Sequence, residues 1–107
     1  LEISVKQLEE ARRQGDELLL LDVRNDDEVA VARIEGSVHI PMRDIPERLA
    51  ELEPWRERRI VVQCHHGGRS ARVQQYLLAQ GFANVENLAG GIHAWSLEVD
   101  PTVPVYQ

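Results

Sequence analysis

The densest chemistry in this chain is the stretch CHHGGRS at residues 64–70, which contains its only cysteine. A thiolate is a nucleophile, a thiol beside imidazoles is a candidate metal ligand, and a lone cysteine inside a fold is often a small apolar filler. Cys64 stands where an unbroken apolar run, IVVQ at 60–63, stops and a helical pattern begins. In an α/β sheet that strand-to-helix turn is the crevice where ligands bind. The free N–H groups and macrodipole of an incoming helix favour an anion there, whether a negative sulfur, a persulfide or an arriving oxyanion. Gly67 and Gly68 allow the backbone to curl into a nest of amides. Cys64 is therefore the candidate nucleophile, and His65, His66, Gly67, Gly68, Arg69 and Ser70 are the candidate substrate-binding residues. Arg69 carries a planar guanidinium able to lock the loop or pair with a nearby carboxylate.

Spacing separates the possible chemistries. A phosphatase loop of the form Cys-x5-Arg wraps a tetrahedral phosphate, but here Arg69 comes one residue early and Ser70 holds the sixth position. The shorter ring suits a sulfur atom better, and Arg72 lies a further stretch into the expected helix. Cys64-His65-His66 invites a zinc reading, yet neighbouring residues rarely turn toward one ion and zinc motifs space their ligands, so no metal is expected. The bland alternative for His65 and His66 is that only their backbone N–H groups matter. His39 and His93 read as packing or polar-contact residues.

The elements that must position this loop alternate as β, α, β, α, which argues a parallel sheet with helices on both faces. Residues 18–23 (LLLLDV) and 60–63 are unbroken apolar runs, as expected of the two central strands. Ile3, residues 37–40 (SVHI) and residues 85–88 (VENL) are shorter strand candidates. Ser4 caps an expected helix over 5–14 closed by Gly15, and a second is expected near 27–33. A third starts at Asp44 with Pro46 in its first turn and runs to about Leu52. The clearest helix covers 70–80 and is closed by Gly81. Gly90-Gly91 reads as a helix entry with a tight backbone approach, and Trp95 as a core anchor. Residues 98–107 carry two prolines and read as an extended tail over the surface. Asp22 and Arg24 close a central strand as structural support, most simply as a buried ion pair, and Asp22 or Glu28 is expected to anchor an arginine of the loop region.

The 107 residues, 43% hydrophobic and 28% charged, fit one globular domain spanning 1–107. A net charge of −6 argues against nucleic-acid or anionic-membrane partners, and no apolar run is long enough to cross a bilayer. A single cysteine forms no internal disulfide, which fits a reducing compartment, and no secretion signal is legible; a cytoplasmic monomer is expected. Because the sequence opens on Leu1, an upstream domain stays open. Arg56, Arg58 and Arg59 form a basic run that is either a solvated loop or a docking patch.

Taken together, CHHGGRS, the upstream LLLLDVRNDDE, HIP at 39–41 and NLAGGIHAW downstream resemble the single-domain rhodanese family, in family order and over nearly the whole chain. The resemblance implies a three-layer α/β fold with a five-stranded, mainly parallel sheet. It implies a sulfurtransferase without cofactor, in which Cys64 takes sulfane sulfur from a donor such as thiosulfate and passes it to cyanide, a thiol or a sulfur-carrier protein. Arg33 replaces a histidine frequent in relatives, at a position with no catalytic part. The ending EVDPTVPVY looks like the C-termini of rhodanese domains fused behind adenylyl-transferring enzymes. A non-catalytic binding module and a small phosphatase remain the alternatives.

Overall fold

The computed structural model describes residues 1–107. In chain order the elements are β1 (Glu2–Ile3), α1 (Val5–Arg13), β2 (Leu19–Asp22), α2 (Asp26–Val31), β3 (Val38–His39), β4 (Arg59–Gln63), α3 (Gly68–Ala79), β5 (Asn84–Leu88) and α4 (Gly91–Glu98). The strands form one five-stranded sheet in the order β1-β5-β4-β2-β3, and every pairing is parallel. Three strands thus have neighbours on both sides: β2 and β4, read as central from their apolar runs, and β5. The strand expected at 85–88 is thus interior, a place its polar residues disguised: Glu86 is spent on a 2.6 Å pair with Arg59 of the neighbouring strand, and Asn87 is spent on the loop described below.

The period of two along each strand divides the core. Leu19 and Leu21 of β2 and Ile60 and Val62 of β4 face α3, where they meet Val73, Leu77 and Phe82. Leu20 and Val61 face the other side and pack with Val5 and Leu8 of α1 and Ile92 and Trp95 of α4. Each such side chain, fully buried, contributes about 1.5–3 kcal/mol. The resulting three-layer arrangement holds the C-terminal ends of β2 and β4 side by side, with Asp22 opposite Gln63. Cys64 follows at once, so the apolar grip on β4 fixes where the sulfur stands.

Two expected helices differ. The segment expected as a helix from Asp44 to Leu52 is instead two stretches of 3-10 turn, Met42–Asp44 and Leu49–Trp55. One i to i−4 bond forms, from the Arg48 N–H to the Asp44 carbonyl at 3.0 Å, shared with the Ile45 carbonyl at 3.2 Å, and the second stretch, with Pro54 inside it, continues as tighter turns. The second helix is shorter than 27–33 suggested: α2 ends at Val31, and Ala32 turns to an extended conformation. There the Ala32 carbonyl accepts a 2.7 Å bond from Arg24 Nη2, which an added helical turn would forbid.

Candidate active site

The loop between β4 and α3 is wound around the Cys64 sulfur. Cys64 is almost fully buried, and its Sγ accepts from the backbone N–H of Gly67 at 3.1 Å and of Ser70 at 3.3 Å. Gly67 makes this possible: its φ of 114° is open only to glycine without strain, and from it α3 begins one residue later. Ser70 Oγ lies 3.2 Å from Sγ and donates to Asn87 Oδ1 at 2.5 Å. A hydroxyl has one proton, so while Asn87 takes it the thiol is the donor to Ser70; on deprotonation the Ser70 hydroxyl can turn its proton to the sulfur. Asn87 also donates through Nδ2 to the Gly67 carbonyl at 3.1 Å, tying the turn to β5.

The other wall of the loop is α4. The N–H groups of Ile92 and His93 donate to the carbonyls of Cys64 and His65 at 2.9 and 3.1 Å. Gly91 has a φ of 59°, and a Cβ there would strike those same carbonyl oxygens. The glycine pair therefore allows the close approach that its sequence suggested.

The ionic partners sort themselves in a definite way. Arg24 and Asp22 form a pair buried to zero exposure, with bonds of 2.9 Å from Nε and 2.7 Å from Nη2. Burial works against the Arg24 charge, but hydrogen bonds to Asp22 and Tyr106 outweigh it and hold its pKa above the ordinary value. His39, a polar-contact residue as expected, donates Nε2–H to the Arg24 carbonyl at 2.7 Å. Of the two carboxylates considered for anchoring the loop, Glu28 does it: Arg69 grips it with two bonds of 2.6 and 2.8 Å. Those bonds to Arg69 draw the Glu28 pKa down to about 2. Asp22 is occupied by Arg24 instead.

The tail does more than cover surface. Val103 enters the second core, and the chain then returns so that the Tyr106 ring stacks on His65 at 4.0 Å with 10° between planes. Its hydroxyl donates to Glu28 Oε2 at 2.8 Å and accepts from Arg24 Nη1 at 3.0 Å. Burial, with Glu28 adding to it, pushes the Tyr106 phenol up to about 12, so it stays a neutral donor.

Above the sulfur opens a depression of about 350 Å³ lined by Cys64, His65, His66, Gly68, Arg69 and Arg72. All of the expected loop residues meet here, with Gly67 and Ser70 beneath the rim. Asn87, Tyr106 and Arg72 were not read as site residues. With Arg69 held by Glu28, Arg72 is the exposed guanidinium of this mouth without a salt bridge. The basic run away from it is paired: Arg56 with Glu53, Arg58 with Glu17 and Arg59 with Glu86.

A parallel α/β sheet with a cysteine at the end of a central strand, cupped by the amides that open the next helix, defines the class. Residues 4–98 match the family model described as "Rhodanese-like domain", and the chain belongs to that family of sulfurtransferase-type enzymes. It is 44% identical to YtwF of Bacillus subtilis over 94% of each chain. It is 36% identical to "Adenylyltransferase and sulfurtransferase MOCS3-2" of Zea mays over 97% of this chain but only 23% of that longer protein. Among solved structures, a rhodanese-like domain protein from Staphylococcus aureus superposes with a TM-score of 0.83 at 30% identity, covering 99% of this chain and 98% of the other.

Proposed function

We propose that the chain transfers sulfane sulfur through a persulfide on Cys64. The observation that carries this reading is the pair of backbone N–H groups, Gly67 and Ser70, aimed at one sulfur. Amides fixed in that way stabilise a negative sulfur without reorganising during reaction. In the first half-reaction the Cys64 thiolate attacks the outer sulfur of thiosulfate. The sulfur–sulfur bond of the donor breaks, and sulfite leaves with its electron pair. In the second, a thiophilic acceptor, cyanide or a thiolate, takes the terminal sulfur and the Cys64 thiolate is regenerated, a ping-pong cycle. Arg72 supplies the positive potential that draws an anionic donor into the mouth of an otherwise acidic protein.

The natural acceptor is a thiol or the terminus of a sulfur-carrier protein. Likeness to the maize adenylyltransferase and sulfurtransferase over 97% of this chain supports the second of these. The mouth over Cys64 is open on one side, as a protein-borne acceptor requires. The test is mass spectrometry of the intact protein after thiosulfate treatment. Cys64 should gain one sulfur atom and lose it again to cyanide as thiocyanate. An intact, folded protein that gains none, or a Cys64→Ser protein that gains as much as wild type, would overturn the reading.

A further inference from the structure

Three histidines meet at the lip of the sulfur pocket. His65 and His66 come from the loop and His93 from the first turn of α4, and the α4 N–H bonds to the Cys64 and His65 carbonyls bring the two segments together. The rings of His65 and His66 have centroids 3.9 Å apart, those of His66 and His93 4.7 Å, and those of His65 and His93 5.9 Å. One nitrogen from each lies within 4.8 Å of the others. Two ring nitrogens here, His65 Nε2 and His93 Nδ1, are shut off from solvent and have no hydrogen-bond partner. A buried imidazole nitrogen without a partner forfeits about 1–3 kcal/mol, which a bound ion would recover.

We propose that His65, His66 and His93 form a binding site for a divalent transition metal ion of the zinc type. Neutral imidazoles suit Zn²⁺, Cu²⁺ and Ni²⁺, and no carboxylate belongs to the cluster, which disfavours Mg²⁺ and Ca²⁺. Tetrahedral zinc with bonds of about 2.0–2.1 Å needs its nitrogens roughly 3.3 Å apart. The three nitrogens, within 4.8 Å of one another, would draw together to that spacing around the ion, and His66, being exposed, has room to turn. The objection from sequence was that consecutive residues rarely turn toward one ion; His93 supplies the non-adjacent third ligand that answers it. Three protein ligands leave a coordination position open, as in zinc sites that take up an exchangeable ligand. The ion would sit on the rim through which any sulfur donor reaches Cys64.

The site does not depend on Cys64 being reactive, so its test stands apart from that of sulfur transfer. Zn²⁺ is titrated calorimetrically into the untagged chain, into Cys64→Ser, and into His66→Ala and His93→Gln. The Co²⁺ absorption spectrum of wild type and Cys64→Ser reports whether sulfur is a ligand. The expected result is one equivalent bound by wild type and by Cys64→Ser with no sulfur-to-metal band, and affinity lowered at least about tenfold in each histidine variant. His66 is exposed, so His66→Ala keeps the fold while removing a ligand, and thermal melting without metal verifies this for both variants. No binding by wild type, binding that vanishes in Cys64→Ser, or binding unchanged in His66→Ala and His93→Gln would each overturn the assignment.

Discussion

Replacing Glu28 by Gln keeps the shape of the side chain and removes the charge that Arg69 grips. The Glu28 carboxyl titrates near 2 rather than at its ordinary 4.5, chiefly because of the two bonds from Arg69. Taken at face value, that difference is worth about 3 kcal/mol of folding stability at neutral pH. Solvent reduces it, since the Glu28 and Arg69 side chains keep 16% and 29% of their exposure. The expected loss in Glu28→Gln is therefore roughly 1–2 kcal/mol. The sign of the pH dependence is fixed by the lowered folded-state pKa. The stabilisation is complete above the unfolded value of 4.5 and is lost as pH falls from there through 2. Urea denaturation of both proteins at neutral pH and at about pH 3 measures this, and more than half of the difference should be gone at the lower pH. Sulfur transfer from thiosulfate should fall as well, because Arg69 precedes Ser70, whose N–H and hydroxyl address the sulfur. A displacement of about 1 Å at a reacting group costs up to about 10²-fold in rate. Equal stability of the two proteins at neutral pH, or a gap that stays constant on acidification, would refute the idea that this pair holds the loop.

Arg72→Ala should raise KM for thiosulfate several-fold and up to about tenfold, with kcat little changed and the effect shrinking at high salt, as steady-state kinetics at two ionic strengths would report. Gly91→Ala should destabilise by roughly 2–4 kcal/mol and displace the loop, because its φ is positive and the new Cβ meets the Cys64 and His65 carbonyls; chemical denaturation reads the first effect and loss of turnover the second. Asp22→Asn should cost roughly 3–5 kcal/mol in the same denaturation assay, since it leaves the Arg24 charge buried without its partner. Tyr106→Phe keeps the stack on His65 but removes one bond each from Glu28 Oε2, which keeps Arg69, and from Arg24 Nη1, which keeps the Glu28 carbonyl, and should lower stability by about 1–2 kcal/mol.

What the sequence made legible followed the range of the interactions. The sulfur loop is contiguous, and its glycines, helix start and strand end are all local signals, so its residues were identifiable before any fold was known. The two long apolar runs were equally plain as strands. Contacts that join distant segments were legible only in part: Arg69 to Glu28, across 41 residues, was one of two anchors expected for the loop, whereas Tyr106 reaching Glu28 across 78 and Ser70 reaching Asn87 across 17 were not expected. For Asn87 there was one signal, a polar residue between Val85 and Leu88 in a strand with no room for it in an apolar core. For Tyr106 the signal was the apolar Val103 within a proline-rich tail, which serves to pin the chain before its last turn.

The length of the loop gains a different meaning once its partners are known. From the sequence, Arg69 one residue early argued against a phosphate ring because an expected guanidinium was missing. In the fold, position 70 itself carries the argument. A Cys-x5-Arg loop would need its arginine there, and Ser70 is fully buried, between the sulfur at 3.2 Å and Asn87 at 2.5 Å. A guanidinium could enter that place only by expelling Asn87 from β5 and breaking the tie to the Gly67 carbonyl. Arg69, meanwhile, is turned to Glu28 and satisfied there. The ring therefore presents amides and one hydroxyl to a single buried sulfur, and the nearest uncommitted cation, Arg72, stands at the mouth, where it can draw an anion in without enclosing it.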